Sequence, residues 1–178
     1  MENDRFRRWV KSSHALARIE PFMVPITQGL GRLDTNLIQG DQRFCDLQPE
    51  ERSSIDEAIS LTDRMTFSYL WVLGAYELVR AIDQRCHDNP RLLGNRLTTK
   101  VTAVKHTFER LRIPLAKFEP SRRYQNTDSP IAYPALHKEF GVSWHVATDV
   151  FISRRELSDI LLTLLEEMAK TSDLPHPK

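Results

Sequence analysis

The sequence predicts a mainly α fold, a four- to five-helix bundle with a long antiparallel helical hairpin and a small β-hairpin before the C-terminal helix. Three observations support this prediction. Apolar residues recur at helical intervals of three and four through residues 96–119, and the same rhythm runs through residues 54–87. Residues 131–147 hold two short segments rich in β-branched and aromatic residues. The apolar seam of residues 96–119 comprises Leu97, Val101, Val104, Phe108, Leu111, Leu115 and Phe118.

The first helix is predicted over Asp4–Glu20, where apolar residues lie near one face until Pro21 and Pro25 end the run. Between Pro25 and Pro49 the pattern weakens, because three glycines interrupt the leucines. This segment therefore predicts only a short helix.

The central helix is predicted to begin at a capping box, Ser54 to Glu57, and to run to about His87. Its middle is apolar on nearly every side, which is typical of a helix covered by several others. A turn at residues 89–95 then reverses the chain, and a basic helix begins at Arg96. Pro114 should kink or restart that helix.

The predicted β-hairpin pairs residues 131–136 with 142–147 across a five-residue loop, and Pro134 confines the first strand to an edge. A second capping box, Ser153 to Glu156, opens the last helix. For self-association, the candidate surfaces are Leu70 with Trp71 and, alternatively, Leu157–Met168. The expected core residues are Tyr69, Val72, Leu73, Tyr76, Val79, Val101, Val104, Phe108 and Leu111.

Length and composition indicate one domain over residues 1–178, with a helical core of roughly residues 53–119 packed with residues 4–20 and 153–171. The net charge of +1 excludes a global field that would draw the molecule to nucleic acid or acidic lipid. Residues 1–8 lack the apolar segment of a signal peptide, and the apolar run Phe67–Val79 is shorter than the roughly 18–20 residues of a membrane span. We therefore expect a cytoplasmic protein with no membrane partner.

Residues 91–123 hold nine basic and two acidic residues. On a helix with an inward-facing apolar seam, the basic residues lie outside or beside the seam and form a stripe that could bind phosphates. The alternative is that they pair with acids of a neighbouring helix, for which residues 50–63 are available. We call the following residues the basic face: Arg96, Lys100, Lys105, Arg110, Arg112, Lys117, Arg122 and Arg123.

Arg80 and His87 stand seven residues apart on the predicted central helix, so they share a face about two turns apart. This Arg-x6-His spacing resembles the Arg-x4–6-His motif of HEPN-domain ribonucleases, which are all-α proteins. The resemblance implies a metal-independent ribonuclease in which Arg80 and His87 act at a dimer interface on the RNA 2′-hydroxyl and the scissile phosphate. Alternatively, both residues cap the C-terminal end of a helix, where positive charge is favourable.

Other candidate residues have structural interpretations. Glu77 should form an ion pair with Arg80, three residues further on, and Cys86 should be a packing residue. His137 and His145 lie near the predicted hairpin, but no metal-ligand spacing accompanies them. The sequence therefore predicts no metal and no cofactor.

Three functions are consistent with these patterns. The first is a non-catalytic helical interaction protein, a subunit or adaptor that binds a protein partner or itself. The second is an RNA- or DNA-binding module that uses the basic face. The third is the HEPN-like ribonuclease. We place the interaction protein first because it needs no specific constellation, and the chain has no phosphate-binding loop, Rossmann fingerprint, nucleophile elbow or His-Glu-x-x-His motif.

Overall fold

The structure, a computed structural model, describes residues 2–172. Within these residues it confirms the mainly α fold, with a small antiparallel sheet before the last helix. The helices are α1 (Glu2–Ser13), α2 (Met23–Asp46), α3 (Pro49–Arg52), α4 (Ile55–Asp88), α5 (Gly94–Lys117) and α6 (Arg154–Ser172). The strands are β1 (Tyr133–His137), β2 (Gly141–Ala147) and β3 (Val150–Ser153). Two 3-10 turns cover His14–Arg18 and Arg122–Tyr124.

The N-terminal third differs from the prediction. The first helix ends at Ser13 and a 3-10 turn follows, whereas the segment expected to hold a short helix forms the 24-residue α2. Pro25 lies in the first turn of α2, where its missing N–H is not needed. Gly31 and Gly40 lie where side chains of α1 and α4 pack closely against α2. These glycines are contact positions and not helix ends.

The long helical hairpin is confirmed. The Ser54 side chain accepts a hydrogen bond from the Glu57 N–H at 3.3 Å and caps the 34-residue α4. Helix α5 runs back along it, since Tyr76 contacts Glu109 and Asp83 contacts Lys105. Helix α5 continues through Pro114 to Lys117, so it does not restart there. The apolar seam ends earlier than predicted, because Phe118 follows the helix in a left-handed conformation and is exposed.

The core lies between α4, α5, α6 and the start of the chain. Most predicted core residues are buried, but Tyr69 and Leu73 are only half-buried. Trp71, predicted for an association surface, is instead fully buried, and its indole N–H donates to the Leu30 carbonyl at 2.9 Å. The prediction was wrong because the long α2 covers this side of α4. The apolar face of α6 from Leu157 to Met168 is likewise buried within the fold.

The sheet has the order β1–β2–β3, with both pairs antiparallel. Pro134 lies on the edge strand β1, as predicted. The β1–β2 loop is shorter than predicted because His137 pairs with Gly141. Strand β3 was missed, since four residues directly before a capping box carry little periodicity. The second capping box is confirmed, with the Glu156 N–H to Ser153 Oγ and Ser153 N–H to Glu156 Oε2 both at 3.0 Å.

A buried ionic cluster joins α6 to α2. The fully buried guanidinium of Arg154 donates to Asp34 at 2.5 Å and to Asp41 at 3.5 Å. Asp34 also accepts from Arg5 at 2.7 Å and from the indole N–H of Trp9 at 3.1 Å. The first helix is therefore connected to the last by charge as well as by apolar packing.

The second half of the same cluster reaches α4 and the sheet. Asp41 pairs with the buried Arg64 at 3.3 Å and accepts from the Val142 N–H at 3.2 Å. Gly141, with φ of 70°, lies so close to Asp41 that a Cβ atom there would overlap its carboxylate. We call these five side chains the ionic cluster: Arg5, Asp34, Asp41, Arg64 and Arg154.

Candidate functional site

A cleft of about 680 Å³ opens between α5 on one side and β3 with α6 on the other. Threonine and alanine side chains at helical spacing line the α5 wall, and these short side chains leave the space open. From Thr98 to Arg110 this wall is about 18 Å long at 1.5 Å per residue. The opposite wall is apolar and includes the exposed side chains of Phe151 and Ile160.

Basic side chains line the cleft along its length. His87 comes from the end of α4, His106 and Arg110 from α5, and Arg123 from the 3-10 turn after α5. Of the described residues that line the cleft, only Glu156 is acidic, and its carboxylate already accepts hydrogen bonds from the N–H and hydroxyl of Ser153. The lining therefore favours a negatively charged ligand.

Arg110 is held rigidly. Its Nε and one terminal nitrogen donate to the Asp128 carboxylate at 2.8 and 3.0 Å, and its guanidinium lies 4.0 Å from the ring centre of Tyr124. The hydrogen bond to Asp128 raises the pKa of Arg110 above its ordinary value. Arg123, by contrast, is exposed and makes no ion pair with any residue between 2 and 172.

His87 is anchored at one of its two ring nitrogens. Nδ1 of His87 lies 2.8 Å from the Asp83 carbonyl oxygen, so in the neutral ring Nδ1–H donates to it and Nε2 remains an acceptor. Asp83 itself is also paired to Lys105 at 2.5 Å and to Thr102 at 2.6 Å. Burial raises the pKa of Asp83, but these two hydrogen bonds outweigh it and hold the pKa below its ordinary value.

Arg80 and His87 do not line the same cleft. Arg80 borders a separate groove together with Gln84 and Leu92, and its Nε donates to Glu77 at 2.7 Å. That hydrogen bond raises the pKa of Arg80, and the predicted Glu77–Arg80 ion pair is confirmed. In the described part of the chain, Arg80 and His87 therefore line two different clefts.

The basic face is divided by local ion pairing. Five of its eight members pair with acids, none of which lies in residues 50–63. These pairs are Lys100–Glu167, Lys105–Asp83, Arg110–Asp128, Arg112–Glu77 and Lys117–Glu119. Arg96, Arg122 and Arg123 are exposed and have no ion pair within the described part of the chain. Only Arg110 and Arg123 of the basic face line the cleft.

A second surface lies on the first half of α4. Four large apolar side chains are exposed there, and we call them the apolar stripe: Ile55 (77%), Ile59 (56%), Phe67 (47%) and Leu70 (50%). For Ile55, Ile59 and Phe67, one reason for the exposure is that α4 is longer than α5. Since Glu109 of α5 lies beside Tyr76, the end of α5 at Lys117 reaches only to about residue 68 of α4.

Both cysteines are free, and their surroundings make them poor nucleophiles. Cys86 is fully buried, and burial raises its pKa to about 11, so only about one thiol in a thousand is ionised at pH 8. We expect a disulfide reagent to modify only the half-buried Cys45 in the native protein at pH 8, and Cys86 only after unfolding in urea. In the variant Cys45→Ser, fast labelling under native conditions would contradict this.

Two observations concern metals and membranes. Within residues 2–172, no three His, Cys, Asp or Glu side chains gather closely enough to hold a metal ion. None of the helices in the same range combines the length and apolar character of a membrane span.

Comparison of the chain with protein-family models, with curated proteins and with solved structures found no match. Two features of the molecule bear on its function: the cleft with its basic lining and the apolar stripe of α4. No local pattern indicated that Phe151 and Tyr124 would lie in the cleft, because strand β3 and the 3-10 turn reach α5 only through the tertiary fold.

Proposed function

We propose that this chain is a non-catalytic helical interaction protein that associates with a second copy of itself through the apolar stripe of α4. The observation that carries the proposal is the stripe itself: four large apolar side chains, each about half exposed or more, on a helix that its neighbours do not cover along one side. Exposed apolar residues scattered singly are ordinary, but four on one side of a helix, two on each side of the polar Thr62, Asp63 and Thr66, can form an interface.

The size of the stripe fits association. Its exposed fractions correspond to an apolar surface on the order of 400 Å² per copy, comparable with the largest patches on monomeric proteins. Two such surfaces together approach roughly 800 Å², which with a polar rim reaches the lower range of specific interfaces at about 1,200 Å².

A second copy fits the stripe better than an arbitrary helix does, because the stripe is self-complementary. If two α4 helices pack antiparallel about a twofold axis between Thr62 and Asp63, Ile55 of each lies opposite Leu70 of the other. Ile59 of each then lies opposite Thr66 of the other, and Thr62 lies opposite Asp63 beside the axis. The helix dipoles also oppose each other in this arrangement, which is favourable.

We expect Leu70→Lys to raise the dissociation constant of the dimer at least about 30-fold, because a twofold interface buries the introduced charge twice. Sedimentation velocity over a roughly hundredfold concentration range measures this. The matched control is Phe22→Lys, since Phe22 is 79% exposed at the start of α2, beside the far end of α4. A monomeric wild type, or equal dissociation of both variants, would overturn the proposal.

The non-catalytic part of the proposal has its own test. Because Arg80 and His87 line separate grooves in one chain, we expect no cleavage of a mixed RNA pool by the purified protein in the presence of chelator. Cleavage by the wild type that disappears in His87→Ala would instead favour the ribonuclease, with Arg80 supplied across a dimer.

A further inference from the structure

We infer that the cleft between α5 and the β3–α6 wall binds a phosphate-bearing nucleotide unit, either as a free nucleotide or within a single strand of RNA. This inference does not depend on self-association, since the cleft and the apolar stripe share no residue. Three properties of the cleft support it: its charge, its apolar wall and its dimensions.

Two arginines of the cleft have N–H donors available for an anion. Arg123 is exposed and unpaired within residues 2–172, and Arg110 is fixed in place by Asp128. Arg110 uses two of its five N–H groups for Asp128. The remaining donors of a pre-oriented guanidinium suit phosphate oxygens, which accept two parallel hydrogen bonds. The one acidic residue described in the lining, Glu156, is held in place by its capping box and keeps its negative charge.

The opposite wall suits a flat aromatic group. Phe151 is exposed in the cleft, and its ring contacts the ring of His145 at an angle of 49°, with 3.6 Å between their centres. Because this contact already restricts the Phe151 ring, a base that stacks on it would cost little side-chain conformational entropy. Across the cleft, Ala103 and Thr107 project little from α5 and leave room for such a base.

The dimensions fit a small number of nucleotides. A volume of about 680 Å³ lies within the usual range of roughly 300–1,000 Å³ for small-molecule sites. The α5 wall, about 18 Å long, is longer than one nucleotide needs. A phosphate beside Arg110 and Arg123 would therefore leave a base within reach of Phe151 and a neighbouring unit within reach of His87.

The test uses fluorescence anisotropy of a labelled ten-nucleotide uridine RNA with the full chain at low salt. We expect Arg123→Glu to weaken binding at least about tenfold and Arg122→Glu by less than about twofold. The two residues are adjacent and exposed, but only Arg123 lines the cleft. Two phosphate contacts predict a slope of about −1.4 for the logarithm of affinity against the logarithm of salt concentration.

The base is tested separately with Phe151→Ser and with competitors. We expect this variant to weaken binding at least about fivefold, and uridine monophosphate to displace the RNA better than inorganic phosphate does. If uridine monophosphate displaces the labelled RNA at a concentration similar to that of unlabelled RNA, the natural ligand is a free nucleotide. If only unlabelled RNA displaces it at that concentration, the ligand is a single strand of RNA. Absence of RNA and mononucleotide binding, or equal effects of Arg122→Glu and Arg123→Glu, would overturn the inference. Thermal melts confirm that each variant is folded.

Discussion

Replacement of Arg154 by alanine is expected to lower the free energy of unfolding by about 3–5 kcal/mol. The Arg154 side chain is fully buried and is a partner of both Asp34 and Asp41. Its removal leaves two buried carboxylates with less positive charge and a cavity where the guanidinium stood. Urea unfolding followed by circular dichroism measures the loss.

The neighbouring residue provides the control for this prediction. Arg155 is less buried, and within residues 2–172 its side chain donates only to the backbone oxygen of Glu139, at 3.1 Å. Arg155→Ala should therefore change the free energy of unfolding by less than about 1 kcal/mol. Equal losses for the two variants would mean that the ionic cluster is hydrated and contributes no more than a surface contact.

The second large effect is expected at Gly31, where α2 crosses α1. A Cβ atom at this position would lie within 3.0 Å of the buried Trp9 side chain. Trp9 cannot move aside because it is fully buried and its indole N–H is bonded to Asp34. We expect Gly31→Ala to lower the free energy of unfolding by about 3 kcal/mol, measured by urea unfolding.

Gly29, on the same helix, is the matched control for Gly31 and should show the opposite sign. A Cβ atom at Gly29 meets no atom within 4 Å, and alanine is favoured over glycine inside a helix. Gly29→Ala should therefore raise the free energy of unfolding by about 0.5–1 kcal/mol. A loss for both variants would show that the backbone of α2, and not contact with Trp9, requires glycine.

The predictions succeeded where a single element carries its own pattern. The seam of α5, the capping boxes at Ser54 and Ser153, and the proline on the edge strand are all local, and each is found. Helix α2 was underestimated because it holds three glycines, and two of them, Gly31 and Gly40, are contact positions that resemble helix breakers in sequence. Trp71 was misplaced for the same reason, since the helix that buries it had not been recognised.

The ionic cluster was missed although the sequence holds a signal for it. Leu30, Asp34, Leu37, Asp41 and Phe44 follow at intervals of four, three, four and three. Two aspartates within an apolar seam imply buried cationic partners. Which arginines supply them cannot be known from the sequence, because Arg154 lies on another helix.

The cleft depends even more on tertiary structure. The sequence marked His87, Arg110 and Arg123 as candidates, but for two different functions and without a shared cleft. Which of these charges can bind a ligand depends on the ion pairs that the fold creates. Arg110 is paired with Asp128, whereas Arg123 has no ion pair within the described residues. Charge counts along a chain do not contain this information, since ion pairing depends on which helices become neighbours.

The ionic cluster also has a consequence for how the chain is synthesised. Asp34 and Asp41 are made 120 and 113 residues before Arg154, the partner that they share. At roughly 5–20 residues per second, translation leaves the two aspartates without that arginine for on the order of ten seconds. During this time Arg5 and Arg64 are the cations of the ionic cluster that are already available to the two aspartates. The ionic cluster therefore receives its last member only when α6 is made.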